Sequence, residues 1–176
     1  MKKLFTYLFI GALTMSYSMI SAQDKAAPSP FSKVEQKVGT TDVTIEYSRP
    51  GAKDRKVMGE LVPFGKTWRT GANSTTKITF SKDVTVEGKE LAAGKYVILT
   101  VPGQDSWDVE FHTSAEGGWP SFDSKEPKLK VSVTPQSLGD VMVETFFITL
   151  GELRDNSGTL MFIWENTMVP VELGVK

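Results

Sequence analysis

Arg49, Arg55, Trp68, Arg69 and Asn73 carry the strongest chemical signal in the chain. All five fall within one stretch, Tyr47 to Asn73, YSRPGAKDRKVMGELVPFGKTWRTGAN. A guanidinium offers five donors in a rigid fork and a side-chain amide both donates and accepts. Their convergence beside an indole would suit a small polar ligand, a glycan or a peptide. The same groups can instead hold their own loop together by satisfying its carbonyls and neighbouring acids.

A second set lies further on. Counting by twos along the run that starts at Trp107 puts Asp108, Glu110 and His112 on one outward face, where an acid, acid, imidazole row is geometrically available. Polar-out alternation also predicts such residues with no chemistry at all, and a solvated strand face is the expectation. His112 is the single histidine and there is no cysteine, which excludes paired-histidine zinc sites, thiolate nucleophiles, disulfides and cysteine metal sites. Gly59 and Gly65-Lys66-Thr67 imitate a phosphate-binding loop but enclose five residues, including Pro63, where four are required. Acids such as Asp108, Glu110, Glu116, Asp123 and Glu165 are plentiful, so a carboxylate-pair hydrolase acting on cell-envelope polymer stands as the alternative to a binding module. No nucleophile can be matched with a base, and no catalytic residue, metal ligand or cofactor motif is assigned. Glu165, at the end of an apolar run, needs a partner or water, and an arginine would satisfy it. Trp119, in a glycine-rich turn, is expected to pack on the domain.

The elements that must position these residues read as strands. Period-two alternation marks Val43 to Tyr47 and Trp107 to Phe111. Similar runs occur at 77–80, 84–87, 96–101, 129–133, 141–150, 160–164 and 169–173, separated by Gly, Asn and Asp turn chemistry. About nine short strands predict an all-β protein, an antiparallel β-sandwich. The consecutive large apolar residues in 141–150 and 160–164 suggest adjacent antiparallel partners at the centre of a sheet, covered on both faces. The stretch 47–73 is too apolar to be disordered and reads as a packed, shaped loop, with a short helical turn where Val57 and Leu61 stand one turn apart before Pro63.

Length and composition allow one such domain. Lys2 and Lys3 precede an apolar run closed by Ser21-Ala22, the pattern of a secretory signal peptide over 1–22. A flexible linker over 23–30 and a single β-rich domain over 31–176 follow, in a periplasmic or secreted protein with no membrane insertion after cleavage. Removing Lys2 and Lys3 from 20 basic residues leaves 18 against 21 acidic ones, a net charge of −3. That balance gives no basic footprint for nucleic acid.

At these residues the chain resembles the domain-of-unknown-function family 2911, small exported proteins of Gram-negative bacteria. The resemblance rests on Ser29-Pro30 with Val34, Gln36, Val38 and Gly39. It continues through Tyr47-Ser48-Arg49-Pro50, Lys53, Arg55, Gly59, Leu61-Val62-Pro63, Gly65 and Trp68 to Asn73, and into the hairpin at Thr79 to Tyr96. It implies export and one β-rich domain, and no activity.

Overall fold

The computed structural model describes residues 26–113 and 126–176. The expected signal peptide and the Trp119 turn lie outside them. In chain order the strands are β1 (Phe31–Val38), β2 (Thr41–Ser48), β3 (Thr76–Phe80), β4 (Val84–Val86), β5 (Lys89–Leu91), β6 (Gly94–Val101), β7 (Trp107–Thr113), β8 (Leu129–Val133), β9 (Gln136–Ser137), β10 (Val143–Gly151), β11 (Ser157–Glu165) and β12 (Thr167–Val175). They form two six-stranded antiparallel sheets, one in the order β1-β2-β3-β6-β7-β8 and the other β10-β11-β12-β4-β5, with β9 pairing β12. The expected antiparallel β-sandwich is present, with twelve strands instead of nine.

The three additional strands are the ones with the weakest pattern. In β1, Lys33, Glu35 and Lys37 are exposed and only its last residue, Val38, is buried, so it lacks an apolar face to betray it. β5 and β9 span only three and two residues, too short for any periodicity. The β1–β2 hairpin turns on Gly39, whose φ of +53° and whose packing both demand glycine, since a Cβ there would lie 2.3 Å from the Asp155 carbonyl oxygen.

Two expectations are corrected. Among the described residues no helix occurs. The stretch from Arg55 to Leu61 instead makes a tight turn in which Glu60 N–H donates to Val57 O at 3.3 Å and Val62 N–H to the same oxygen at 2.9 Å. Gly59, at φ +88°, takes the left-handed conformation that ends a right-handed helix before it can start. Secondly, β10 does pair β11 in antiparallel register (Leu150 opposite Leu160) but lies at the edge of its sheet, not at the centre. Its buried residues alternate (Phe146, Ile148, Leu150), so only one face is covered. Residues are buried on both faces in β6, where Ile98 meets the core while Val97 and Leu99 are buried on the opposite side, and in β11, where Ile163 is buried between Phe162 and Trp164.

Between the sheets, Ile45, Ile78, Ile98, Val109 and Phe111 face Phe146, Ile148, Leu160, Phe162 and Val171 in one apolar core. Tyr47 ties the sheets together: its hydroxyl accepts Ile148 N–H at 2.9 Å and donates to Ile148 O at 3.3 Å. The stretch 47–73 leaves β2 and crosses to the edge of the other sheet. There Ala52 N–H donates to Glu144 O at 2.8 Å and Phe146 N–H to Pro50 O at 2.9 Å, partly covering the β10 edge. It then returns beside β6, where Trp68 and Thr100 exchange both backbone bonds (2.7 and 3.0 Å).

Candidate functional site

That last exchange sets the place of Trp68. Its ring stacks on Trp164 at 5.8 Å and 22°, and meets Trp107 (6.3 Å) and Phe146 (5.1 Å) edge-on, capping one end of the core. Such pairs add about 0.5–1.5 kcal/mol each beyond area burial. The other four residues expected at a site spend donors on backbone carbonyls of the loop and of the segments it packs against. Arg49 Nε donates to Phe146 O at 3.1 Å with its guanidinium 5.9 Å from the Phe147 ring centre. Arg55 donates to Ala52 O and Gly51 O at 2.8 and 2.9 Å. Arg69 Nη1 donates to Asn73 O at 2.9 Å, and Asn73 Nδ2 to Ser29 O at 3.1 Å. The structure brings Arg69 and Asn73 together but spreads Arg49 and Arg55 along the β10 side, and none of the five lines the cavity described next.

Turns from four parts of the chain meet at the end of the sandwich that Trp68 caps. They enclose a cavity of about 180 Å³. Met58 and Phe64 form one wall; Gly103, Gln104 and Trp107 a second; Pro135, Gln136 and Ser137 a third; Asn166 and Thr167 the fourth. No ionisable side chain is among these lining residues.

Backbone bonds fix the walls to one another. Gly65 N–H donates to Pro102 O at 2.7 Å, joining the loop to the β6–β7 turn, and Leu138 N–H donates to Asn166 O at 2.7 Å, joining β9 to the β11–β12 turn. Glu165 supplies the third tie. Its two carboxylate oxygens accept the N–H groups of Val57 (3.1 Å) and Met58 (3.2 Å), so the partner it needs is a pair of backbone donors where an arginine would also have served. The reason is geometric: two adjacent N–H groups present the same fork to a carboxylate that a guanidinium does.

Phe64 is set by Gly59. A Cβ on Gly59 would come within 2.8 Å of Phe64 Cε2, so the ring lies on glycine backbone and stays 37% exposed at the cavity. Trp107, only 2% exposed, forms the floor. Its indole N–H has no acceptor among the described residues, whereas that of Trp164 donates to Glu144 O at 3.1 Å.

On the outer face of the first sheet, Asp108, Glu110 and His112 do form a row, but it is not the solvated face expected. His112 is buried, and its Nε2 lies 3.1 Å from Glu110 Oε2. Lys130 on β8 bridges the acids, at 2.8 Å from Asp108 and 3.3 Å from Glu110. Burial opposes ionisation of Asp108, but hydrogen bonds from Lys130 and Ser132 outweigh it and hold the carboxyl below its ordinary pKa. The hydrogen bond to Asp108 raises the Lys130 ammonium correspondingly. A larger open cavity of about 580 Å³ lies against β8, β11 and β12. Two of its three carboxylates are engaged within the fold, Glu152 accepting Thr159 Oγ1 at 3.2 Å and Glu87 accepting Glu172 N–H at 2.6 Å, while Glu172 is exposed.

Fold and site together define a β-sandwich with a long shaped loop that roofs one end and a small neutral cavity beneath it. Residues 29–173 match the protein family of unknown function DUF2911, and the chain belongs to that family. No curated protein matches it, and no solved structure does. Phe64, Gln104, Gln136 and Asn166 are cavity residues that the sequence did not single out. Amides in turns are commonplace, and only the folded chain shows these three meeting.

Proposed function

We propose that the protein is an exported, non-catalytic binding module, periplasmic or secreted, that recognises a small polar ligand in the cavity at the loop end of the sandwich. One observation carries this reading. Segments from four parts of the chain, tied by hydrogen bonds, converge on a concavity that mixes aromatic, amide and hydroxyl groups, the make-up of an orienting binding site. What favours binding over hydrolysis of an envelope polymer is that no carboxylate or imidazole lines this cavity, while Asp108 and Glu110 lie outside it, bridged by Lys130. The five loop residues first expected to bind support the site by holding its roof.

The test is a fragment screen followed by amide chemical-shift mapping on the mature chain, with intact-mass measurement locating its first residue. Shifts clustered at Phe64, Gln104, Gln136 and Asn166, and a chain starting near Gln23, are the expected results. Clustering on another surface, or an uncleaved membrane-bound chain, would overturn the corresponding half of the proposal.

A further inference from the structure

Resting on that binding reading, we infer that the cavity takes a single uncharged sugar ring, one unit or the free end of a glycan, stacked on Phe64 and bonded by Gln104, Gln136 and Asn166. Size comes first. At about 180 Å³ the cavity is well below the roughly 300–1,000 Å³ of sites that enclose a whole drug-sized ligand, so it holds one ring while the remainder of the ligand stays outside. An extended peptide is recognised over several residues along a groove or strand edge, and this concavity is too short for that.

Chemistry decides the rest. A sugar hydroxyl both donates and accepts, and a side-chain amide does the same, so Gln104, Gln136 and Asn166 can follow a ring of hydroxyls around its rim. The Trp107 indole N–H adds a donor from the floor. A carboxylate, phosphate or ammonium group would be stripped of water here with no opposite charge among the lining residues, which selects against charged sugars as well as amino acids. The face of an aromatic ring carries negative charge density and attracts the weakly positive C–H groups on the apolar face of a pyranose. Phe64 offers such a face. Its ring rests on Gly59, in a turn that Glu165 pins through Val57 and Met58, so the platform is set before any ligand arrives.

The experiment uses the mature chain with 15N-labelled tryptophan, glutamine and asparagine, titrated with probes of three kinds. They are methyl glycosides of glucose, galactose, mannose and N-acetylglucosamine; glucuronic acid and glucosamine; and acetyl-tetra-alanine amide. At least one neutral glycoside should move the Trp107 indole and the Gln104, Gln136 and Asn166 amide resonances together, with the charged sugars and the peptide leaving them in place. Phe64→Ala should weaken that glycoside about five- to tenfold and Phe64→Trp should preserve it, because the larger ring keeps the stacking face. Phe64 is partly exposed, so neither variant endangers folding; Gln136→Ala, also on the surface, gives an independent loss. Charged sugar or peptide acting on the same resonances, with neutral sugars silent, would overturn the sugar assignment and leave the binding site standing. Neutral sugar binding that ignores both Phe64→Ala and Gln136→Ala would overturn the assignment of these residues. Silence of every probe, or shifts confined to other surfaces, would overturn both this inference and the binding reading beneath it.

Discussion

Glu165→Gln is the sharpest probe of how the loop is held. The native carboxylate accepts two adjacent backbone donors, Val57 N–H at 3.1 Å and Met58 N–H at 3.2 Å, and Val57 is fully buried. Glutamine, being neutral, keeps one oxygen for one of them and turns an amide N–H₂ toward the other, so one bond survives without charge assistance and one donor is stranded. Such bonds are worth about 1.5–3 kcal/mol each, and the long distances here argue for the lower end, roughly 1.5–2 kcal/mol. For a domain of this size that is a fall in Tm of about 3–8 °C. Glu165 also sits at φ +55°, so Glu165→Gly relieves about 1 kcal/mol of backbone strain while removing the carboxylate altogether. Its Tm should still lie below wild type. Thermal unfolding and amide exchange at Met58 read both effects. A glutamine variant melting within about 1 °C of wild type with Met58 still protected, against the loss expected for a stranded donor, would refute the claim that this carboxylate anchors the loop.

Other expectations follow the same logic. Trp164→Ala removes a 2% exposed side chain that stacks on Trp68 and should cost about 3–5 kcal/mol, read by denaturant midpoint. An unchanged midpoint would mean that the aromatic cap is not part of the cooperative core. Arg69→Ala deprives the Asn73 carbonyl of a charged donor and should lower stability by about 1–2 kcal/mol in thermal unfolding; no loss would return Arg69 to the ligand-binding candidates. Asp108 has its pKa depressed on folding, so its contribution is present above the ordinary carboxylate pKa and is lost as pH falls through the lower folded value. Asp108→Asn should therefore flatten the stability profile below about pH 4 by a few tenths to 1 kcal/mol, the modest size reflecting solvent screening of a partly exposed pair. Identical acid limbs in the two proteins would contradict this.

The residues that made the fold legible were those whose alternation is set by one buried face, as at Val43, Ile45 and Tyr47 or Trp107, Val109 and Phe111. Consecutive apolar residues misled. Phe146-Phe147-Ile148 looked covered on both sides, yet Phe147 turns outward beneath the Arg49 guanidinium at the sheet edge, where a cation can cover an aromatic face that no strand does. The loop could be read as packed because Val57, Val62 and Trp68 needed burial. Its hydrogen bonds could not be read, because Glu165 and Met58 lie more than a hundred residues apart and nothing local announces their meeting. The arginines were conspicuous in sequence because they are rare and chemically strong; the cavity uses weaker groups that carry no such mark.

The way the loop lies along β10 also bears on how this protein can fail. An edge strand of nine residues with bare N–H and C=O groups is a template for pairing with another chain. Here Pro50 and Ala52 occupy part of that row, and Arg49 takes the Phe146 carbonyl. Substitutions that undock the loop would therefore do more than lower a melting temperature: they would free a sticky strand, and the first symptom would be concentration-dependent self-association through β10 while most of the sandwich remained folded.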